Sequence, residues 1–283
     1  MQFLLGAEIV RLLKVPKKGG YVMSLRQTFL MASITILIVV IGYSSYQLWY
    51  IYSHRASEQE LHYQLLAYRP TPPEQQSTTP QTTTAPRWSW QALTHEPQIV
   101  NQSIIDLQEI HASVVGWVHI PNTNIDHPFV QGRDNRFYLH RDINHNHSPA
   151  GTVFMDNRNS YDFSDFHTLI YGHNMRNGSM FSSLQEFNNR EFFDENTTGY
   201  IFLPYHTYIV EWFAFANIRP DDAVVYGLNF QGLQCQVDFL AYVRRNSQHH
   251  RDIEMSALDR FVTLSTCRND SANSRLILMG VLR

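Results

Sequence analysis

Between Phe29 and Ile51 the chain carries no charged side chain: Phe-Leu-Met-Ala-Ser-Ile-Thr-Ile-Leu-Ile-Val-Val-Ile-Gly-Tyr-Ser-Ser-Tyr-Gln-Leu-Trp-Tyr-Ile. Roughly 20 apolar residues suffice for a helix to cross a bilayer, and Trp49, Tyr50 and Tyr52 at the end of the run suit a membrane–water interface. A core helix of that length would carry a polar stripe, which this one lacks. The run therefore divides the chain. Arg11, Lys14, Lys17, Lys18 and Arg26 precede it, while only Arg55 follows closely. That bias places the N-terminus in the cytoplasm and the remainder outside. Without an Ala-x-Ala type site after the run, an uncleaved anchor is expected. Residues 3–15 have the pattern of a short basic amphipathic helix able to lie on the inner leaflet, and a start at Met23 rather than Met1 is equally compatible.

Residues 69–87 are dominated by Pro, Thr and Gln, which leaves almost no apolar surface to bury and predicts an extended, disordered stalk. The expected division is a cytoplasmic segment over 1–27, a signal anchor over 28–52, a stalk over 53–87 and one folded domain over 88–283. A chain 43% hydrophobic and 17% charged with formal net charge −3 argues against wholesale disorder and against a nucleic-acid binder, which is usually strongly basic.

The folded part reads as mainly β. After a helix expected over 99–111, segments 114–120, 125–130, 151–155, 168–171, 200–203, 208–217, 235–243, 260–266 and 275–282 are rich in β-branched and aromatic residues. Turn signals such as Pro121-Asn122, Gly132 and Asn177-Gly178 punctuate them. Helices are expected only over 180–187, 189–196 and 255–259. Many short strands with sparse helices predict a closed or nearly closed β-barrel, which removes exposed edges.

Two of these strands frame a chemical possibility. Thr263-Leu-Ser-Thr-Cys267 ends one strand and Arg275 begins the next, with a short polar loop between. An adjacent cation raises a thiol's thiolate fraction, and a guanidinium can donate to an oxyanion on a bound carbonyl. Tyr171-Gly-His173 ends another apolar strand with an imidazole. Such a set supports acyl transfer through a thioester, although a strand-end cysteine and a solvated strand-end arginine are equally compatible with the spacing. Cys235, in an alternating pattern, is expected to be a small buried residue. His140, His145 and His147 with Asp142 form a rival cluster; His-x-His can bind metal, but a solvated loop is the expectation.

The chain resembles the sortases, membrane-anchored cysteine transpeptidases of Gram-positive bacteria, and class B most of all. The resemblance rests on residues 115–123 (Val-Gly-Trp-Val-His-Ile-Pro-Asn-Thr), 125–132 (Ile-Asp-His-Pro-Phe-Val-Gln-Gly), 134–139 (Asp-Asn-Arg-Phe-Tyr-Leu), 151–156 (Gly-Thr-Val-Phe-Met-Asp), 171–175 (Tyr-Gly-His-Asn-Met) and 263–267 (Thr-Leu-Ser-Thr-Cys) followed by Arg275. It implies a barrel of about eight strands, a catalytic triad of His173, Cys267 and Arg275, and a sorting-signal groove lined by Asn135, Leu139, Tyr171, Ser265 and Thr266. It implies no cofactor and no metal. The implied substrates are surface proteins with LPxTG- or NPxTx-like sorting signals, and the implied acceptor is an amine of the peptidoglycan precursor or of a pilin. Two competing readings are a cysteine peptidase with water as acceptor and a binding module without activity. A papain-like site would need a Cys opening a helix, whereas Cys267 closes a strand.

Overall fold

In a computed structural model of the chain, residues 24–73, 100–268 and 271–283 are described. The N-terminal basic segment, most of the Pro/Thr/Gln-rich stretch and the expected domain start at 88 lie outside them. The chain divides into two units between Ala56 and Ser57.

Helix α1, Leu25–Leu66, contains the uncharged run. Its most apolar window has a mean hydropathy of 1.9 and none of it is buried in protein. Phe29, Ile36, Leu37, Ile38 and Val39 are all exposed, as a bilayer-facing surface requires and a water-facing one would not tolerate. This helix is a candidate membrane span. It does not stop at Tyr52: the stretch expected to open the stalk remains helical to Leu66. Leu61, Leu65, Leu66 and Tyr68 supply the reason, because all four pack against an apolar cluster of the second unit.

In that unit, eight strands run β1 Val114–His119, β2 Asp126–Gln131, β3 Phe154–Met155, β4 His167–Tyr171, β5 Thr198–Leu203, β6 His206–Ile218, β8 Phe261–Arg268 and β9 Ser271–Leu282. Their order is β5-β1-β2-β3-β4-β8-β9-β6, and β5 pairs with β6 to close the barrel. A two-residue strand β7, His249–His250, is appended to β6. The β1–β2 hairpin turns at Asn122, whose φ is +62°. There Thr123 Oγ1 donates to the Ile120 carbonyl at 2.8 Å and accepts from Ile125 N–H at 3.0 Å, the local side-chain chemistry that favours turns.

Alternation sorts each strand's residues between the barrel lumen and its outer face. Val262 and Leu264 of β8, Leu276 and Leu278 of β9 and Ile201 of β5 fill the lumen with Trp212 and Phe215. Phe261, Ile277, Met279 and Val281 instead belong to an outer cluster. It also holds Val225 of α4 (Ala223–Tyr226) and Phe239 and Val243 of α5 (Leu233–Asn246). Strands covered on both faces read as nearly continuous apolar runs, as residues 276–282 of β9 do, whereas β8 buries Thr263, Ser265 and Thr266 among Phe261, Val262 and Leu264. On the opposite flank, Tyr200, Phe202, Trp117 and Tyr138 meet Ile104 and Leu107 of α2, Gln102–Ile110. Of the remaining helices, α3 spans Arg190–Glu195.

Several local expectations are corrected. Residues 235–243 are not a strand but the middle of α5, and Cys235 is exposed rather than buried. Cys235, Val237 and Phe239 mimic a period of two, yet the buried pair is Phe239 and Val243, four apart on one helical face. Residues expected to be helical over 180–187 form a 3-10 helix, Ser182–Asn188, and 255–259 is a turn closed by Ser256 N–H on Asp259 Oδ2 at 2.6 Å. Between Cys267 and Arg275 the strands extend into the expected loop, with Arg268 paired to Ser271.

Candidate active site

Strand pairing brings three of the sequence candidates to one end of the barrel. In the antiparallel β8–β9 ladder Cys267 and Arg275 are direct partners. In the parallel β4–β8 ladder the last pair is Tyr171 with Ser265, and Gly172 N–H still donates to the Ser265 carbonyl at 3.2 Å. His173 and Cys267 are each two residues beyond that pair. The strand leaves the sheet through Gly172, where a Cβ would lie 2.6 Å from the Phe181 ring. Glycine lets the backbone pass beneath Phe181, whose N–H then holds the His173 carbonyl at 2.9 Å.

The imidazole of His173 is fixed by one backbone group: Nε2 lies 2.7 Å from the Leu139 carbonyl. A carbonyl only accepts, so Nε2 carries a hydrogen in either charge state, and Nδ1 is the nitrogen that titrates. Leu139 is held in a 3-10 helix, Phe137–His140, whose start is tied down by Asp134 Oδ1 accepting from the N–H groups of Arg136 and Phe137, each at 2.8 Å. His140, in the same turn, stacks on His173 with centroids 5.8 Å apart and planes 25° apart. Burial holds the His173 pKa below the ordinary imidazole value; the Leu139 carbonyl opposes this, while the nearby His140 and Arg275 act in the same direction as burial. Arg275 is half-buried, and its Nη1 donates to the Ser274 carbonyl at 3.3 Å.

Of the expected groove residues, Asn135, Tyr171 and Ser265 are drawn into one polar network. The Tyr171 hydroxyl donates to Asp156 Oδ2 at 3.0 Å and Asn135 Nδ2 donates to the same oxygen at 2.9 Å. Ser265 Oγ bonds the Tyr226 hydroxyl at 2.8 Å, and Tyr226 stacks on Tyr171 at 6.3 Å. Leu139 enters through its carbonyl on His173. Thr266 is not brought to this set: it shares the parity of Val262 and Leu264, whose side chains fill the lumen, and only 2% of it is exposed. Its hydroxyl has no hydrogen-bond partner among the described residues. The rival histidines disperse, with His145 on the Tyr138 hydroxyl at 3.2 Å and His147 bridging Arg141 through the backbone.

Three residues at this end were not singled out by sequence reasoning. Asp156 is fully buried and accepts from Arg158 Nε at 2.8 Å and Nη2 at 2.7 Å. Arg158 Nη2 also donates to the Tyr226 carbonyl at 2.9 Å. Burial alone would raise the Asp156 pKa, but the Arg158 and Tyr171 donors outweigh it and keep the carboxyl below its usual range. The available signal was the acidic end of a β strand followed two residues later by an arginine. Tyr226 lies in a stretch without periodic pattern.

Comparison with known proteins gives one answer. The family model described as "Sortase domain" matches residues 118–283. Sortase B of Listeria monocytogenes is 34% identical over 185 residues, covering 65% of this chain and 75% of that protein. Among solved structures, the Clostridium perfringens sortase B has a TM-score of 0.60 at 31% identity, covering 63% of this chain and 98% of that one. A Staphylococcus aureus sortase B–substrate complex has a TM-score of 0.61 at 26% identity, covering 65% and 86%. The chain belongs to the sortase family of transpeptidases, and these relatives are sortases B.

Proposed function

We propose that this protein is a membrane-anchored, class B-type cysteine transpeptidase. In this reading it cleaves a C-terminal sorting signal of a surface protein and joins the new carboxyl end to an amine. The observation that carries the reading is the cross-strand pairing of Cys267 with Arg275, with His173 just beyond the β4–β8 ladder on the neighbouring strand.

Catalysis needs a thiolate, an acid and an oxyanion donor. The Cys267 thiolate attacks the carbonyl carbon of the scissile bond, and the electron pair of the C=O moves to oxygen. Arg275 donates to that oxyanion. Collapse breaks the C–N bond, and the Nδ1 proton of the His173 imidazolium goes to the departing amine. The products are a thioester on Cys267 and a free amine peptide. In the second half the acceptor amine gives a proton to Nδ1, attacks the thioester, and expels the Cys267 thiolate. A buried His173 with a depressed pKa is scarce as imidazolium at neutral pH, but that imidazolium is a stronger acid toward the leaving amine. The Leu139 carbonyl leaves Nδ1 free for both transfers. Asn135, Leu139, Tyr171 and Ser265 surround the acyl side of the sorting signal, and Thr266 supports that wall from behind.

The segment up to residue 27 is assigned to the cytoplasm, the span to residues 28–52 and the catalytic unit to the outer surface. Anchoring keeps enzyme, membrane-tethered substrate and lipid-linked acceptor on one plane, which raises their effective concentration. The partners are proteins with LPxTG- or NPxTx-like signals and an amine of the peptidoglycan precursor or a pilin. Incubating the protein with such peptides, with and without an added amine, followed by mass spectrometry tests the reading. A ligated product supports transpeptidation. The free acid alone in the presence of amine would assign a cysteine peptidase, and no product with any peptide would contradict both.

A further inference from the structure

The buried carboxylate of Asp156 stands apart from the groups used in the proposed reaction, yet it touches most of what surrounds them. Its two oxygens accept from five donors: Arg158 N–H at 3.0 Å and Arg158 Nε at 2.8 Å on Oδ1, and Arg158 Nη2 at 2.7 Å, Asn135 Nδ2 at 2.9 Å and the Tyr171 hydroxyl at 3.0 Å on Oδ2. None of Asp156 is exposed. A buried charge is tolerated only when paired and hydrogen-bonded throughout, and here Asn135 and Tyr171, two of the donors, are also expected groove residues. Asn135 opens the turn that leads to Leu139, the residue whose carbonyl fixes His173. Tyr171 ends β4. Arg158 carries the connection across to α4 through the Tyr226 carbonyl at 2.9 Å, and the Tyr226 hydroxyl reaches Ser265 at 2.8 Å.

We propose that Asp156 is a positioning residue for the sorting signal: one buried carboxylate that sets the 132–139 turn, the end of β4 and the α4 segment in register around the peptide. This inference rests on the transpeptidase reading. Asp156 touches neither the thiol's strand partner nor the imidazole, so its effect falls on peptide binding more than on bond making. An amide cannot replace it, because both oxygens only accept; Asn at this position must turn an N–H against existing donors.

The test uses the full-length protein in detergent and fluorogenic LPxTG and NPxTx peptides. Asp156→Asn is expected to raise KM about tenfold with kcat within about threefold of wild type and an unchanged rate of Cys267 alkylation. Arg158→Gln, at a half-exposed position, removes the Nε and Nη2 donors to Asp156 together with the link to α4; it is expected to raise KM by about tenfold and serves if Asp156→Asn does not fold. Combining Asp156→Asn with Tyr171→Phe should raise KM by less than the product of the single effects, since both remove one contact. A fall in kcat with KM unchanged, or no change in either, would overturn the assignment. Hydrogen exchange tests the positioning role apart from the reaction. If wild type turns over no peptide, the transpeptidase reading fails, and the positioning role is judged by whether Asp156→Asn speeds exchange in 132–139 and 222–228. Unchanged exchange there overturns the positioning role as well.

Discussion

Acid should destabilise the catalytic unit well above the pH at which its carboxylates protonate, and two buried histidines set the scale. His127 is buried, and burial first, with the nearby His62 second, depresses its pKa to about 4. His167, 1% exposed, is pushed down by burial to about 3, with Asp156 opposing. Its Nε2 is on Thr263 Oγ1 at 2.7 Å, and its ring lies 4.8 Å from that of Phe239. Both are neutral when folded and take up a proton near 6.5 when unfolded. The unfolded state therefore binds more protons between pH 6.5 and the folded pKa, and stability falls as pH drops through that window. From pH 7.5 to 5 each histidine costs about 2 kcal/mol, or about 4 kcal/mol together. For a unit of this size that corresponds to a fall in Tm on the order of 10 °C. Asp126 and Asp156, whose pKa values are lowered, stabilise the fold above the ordinary carboxylate value and lose that contribution only as pH falls below it, so the two effects separate. Thermal melts from pH 8 to 4.5 measure the slope. Substituting His127→Gln and His167→Gln should flatten it, each by about half, whatever its effect at pH 7.5. A wild-type Tm constant within about 3 °C from pH 7.5 to 5 would rule out this role for the two histidines, as would a double variant with the full slope.

The docked end of α1 predicts a boundary. A protein beginning at Ser57 should melt higher than one beginning after Thr84, because the latter loses Leu61, Leu65, Leu66 and Tyr68 and the Arg69–Asp126 pair at 2.8 Å; equal Tm values would show that the docking contributes nothing. Iodoacetamide should label Cys235 in the folded protein, since it is exposed on α5, and Cys267→Ser should still take up that label under native conditions; protection until denaturation would contradict the helix assignment. Arg275→Lys should keep the fold and Cys267 alkylation but lower kcat/KM by roughly 10²–10³, because a mobile point charge does not reproduce a planar fork. Activity within threefold of wild type would move the oxyanion donor to backbone N–H groups near Cys267.

Much of the barrel was legible because its strands are covered on both faces. Val262, Leu264, Phe261, Ile277 and Met279 all need burial, so β8 and β9 read as strands before any partner is known. The same reading failed at α5, where only Phe239 and Val243 are buried and the exposed Cys235 and Val237 carry a false alternation. It also stopped short at the end of the candidate span, because Leu61 and Leu65 gain a helical preference from an apolar cluster formed far along the chain. The candidate centre was visible as three residue types at strand ends. Their support was not: the bonds from Asp156 to Asn135 and Tyr171, and from Arg158 to Tyr226, span loops whose closure no local pattern encodes. An aspartate at a strand end reads as solvated until the fold buries it.

In the proposed reaction an acyl group passes through Cys267. The most direct measurement of this is the intact mass of the full-length protein quenched in acid during turnover of a sorting peptide, followed by peptide mapping. The expected result is a mass increase equal to the acyl part of the peptide, placed on Cys267, removed by hydroxylamine and absent in Cys267→Ala. An added amine should shorten the lifetime of this adduct and yield a ligated product. Turnover with no adduct on Cys267, or undiminished turnover by Cys267→Ala, would contradict it.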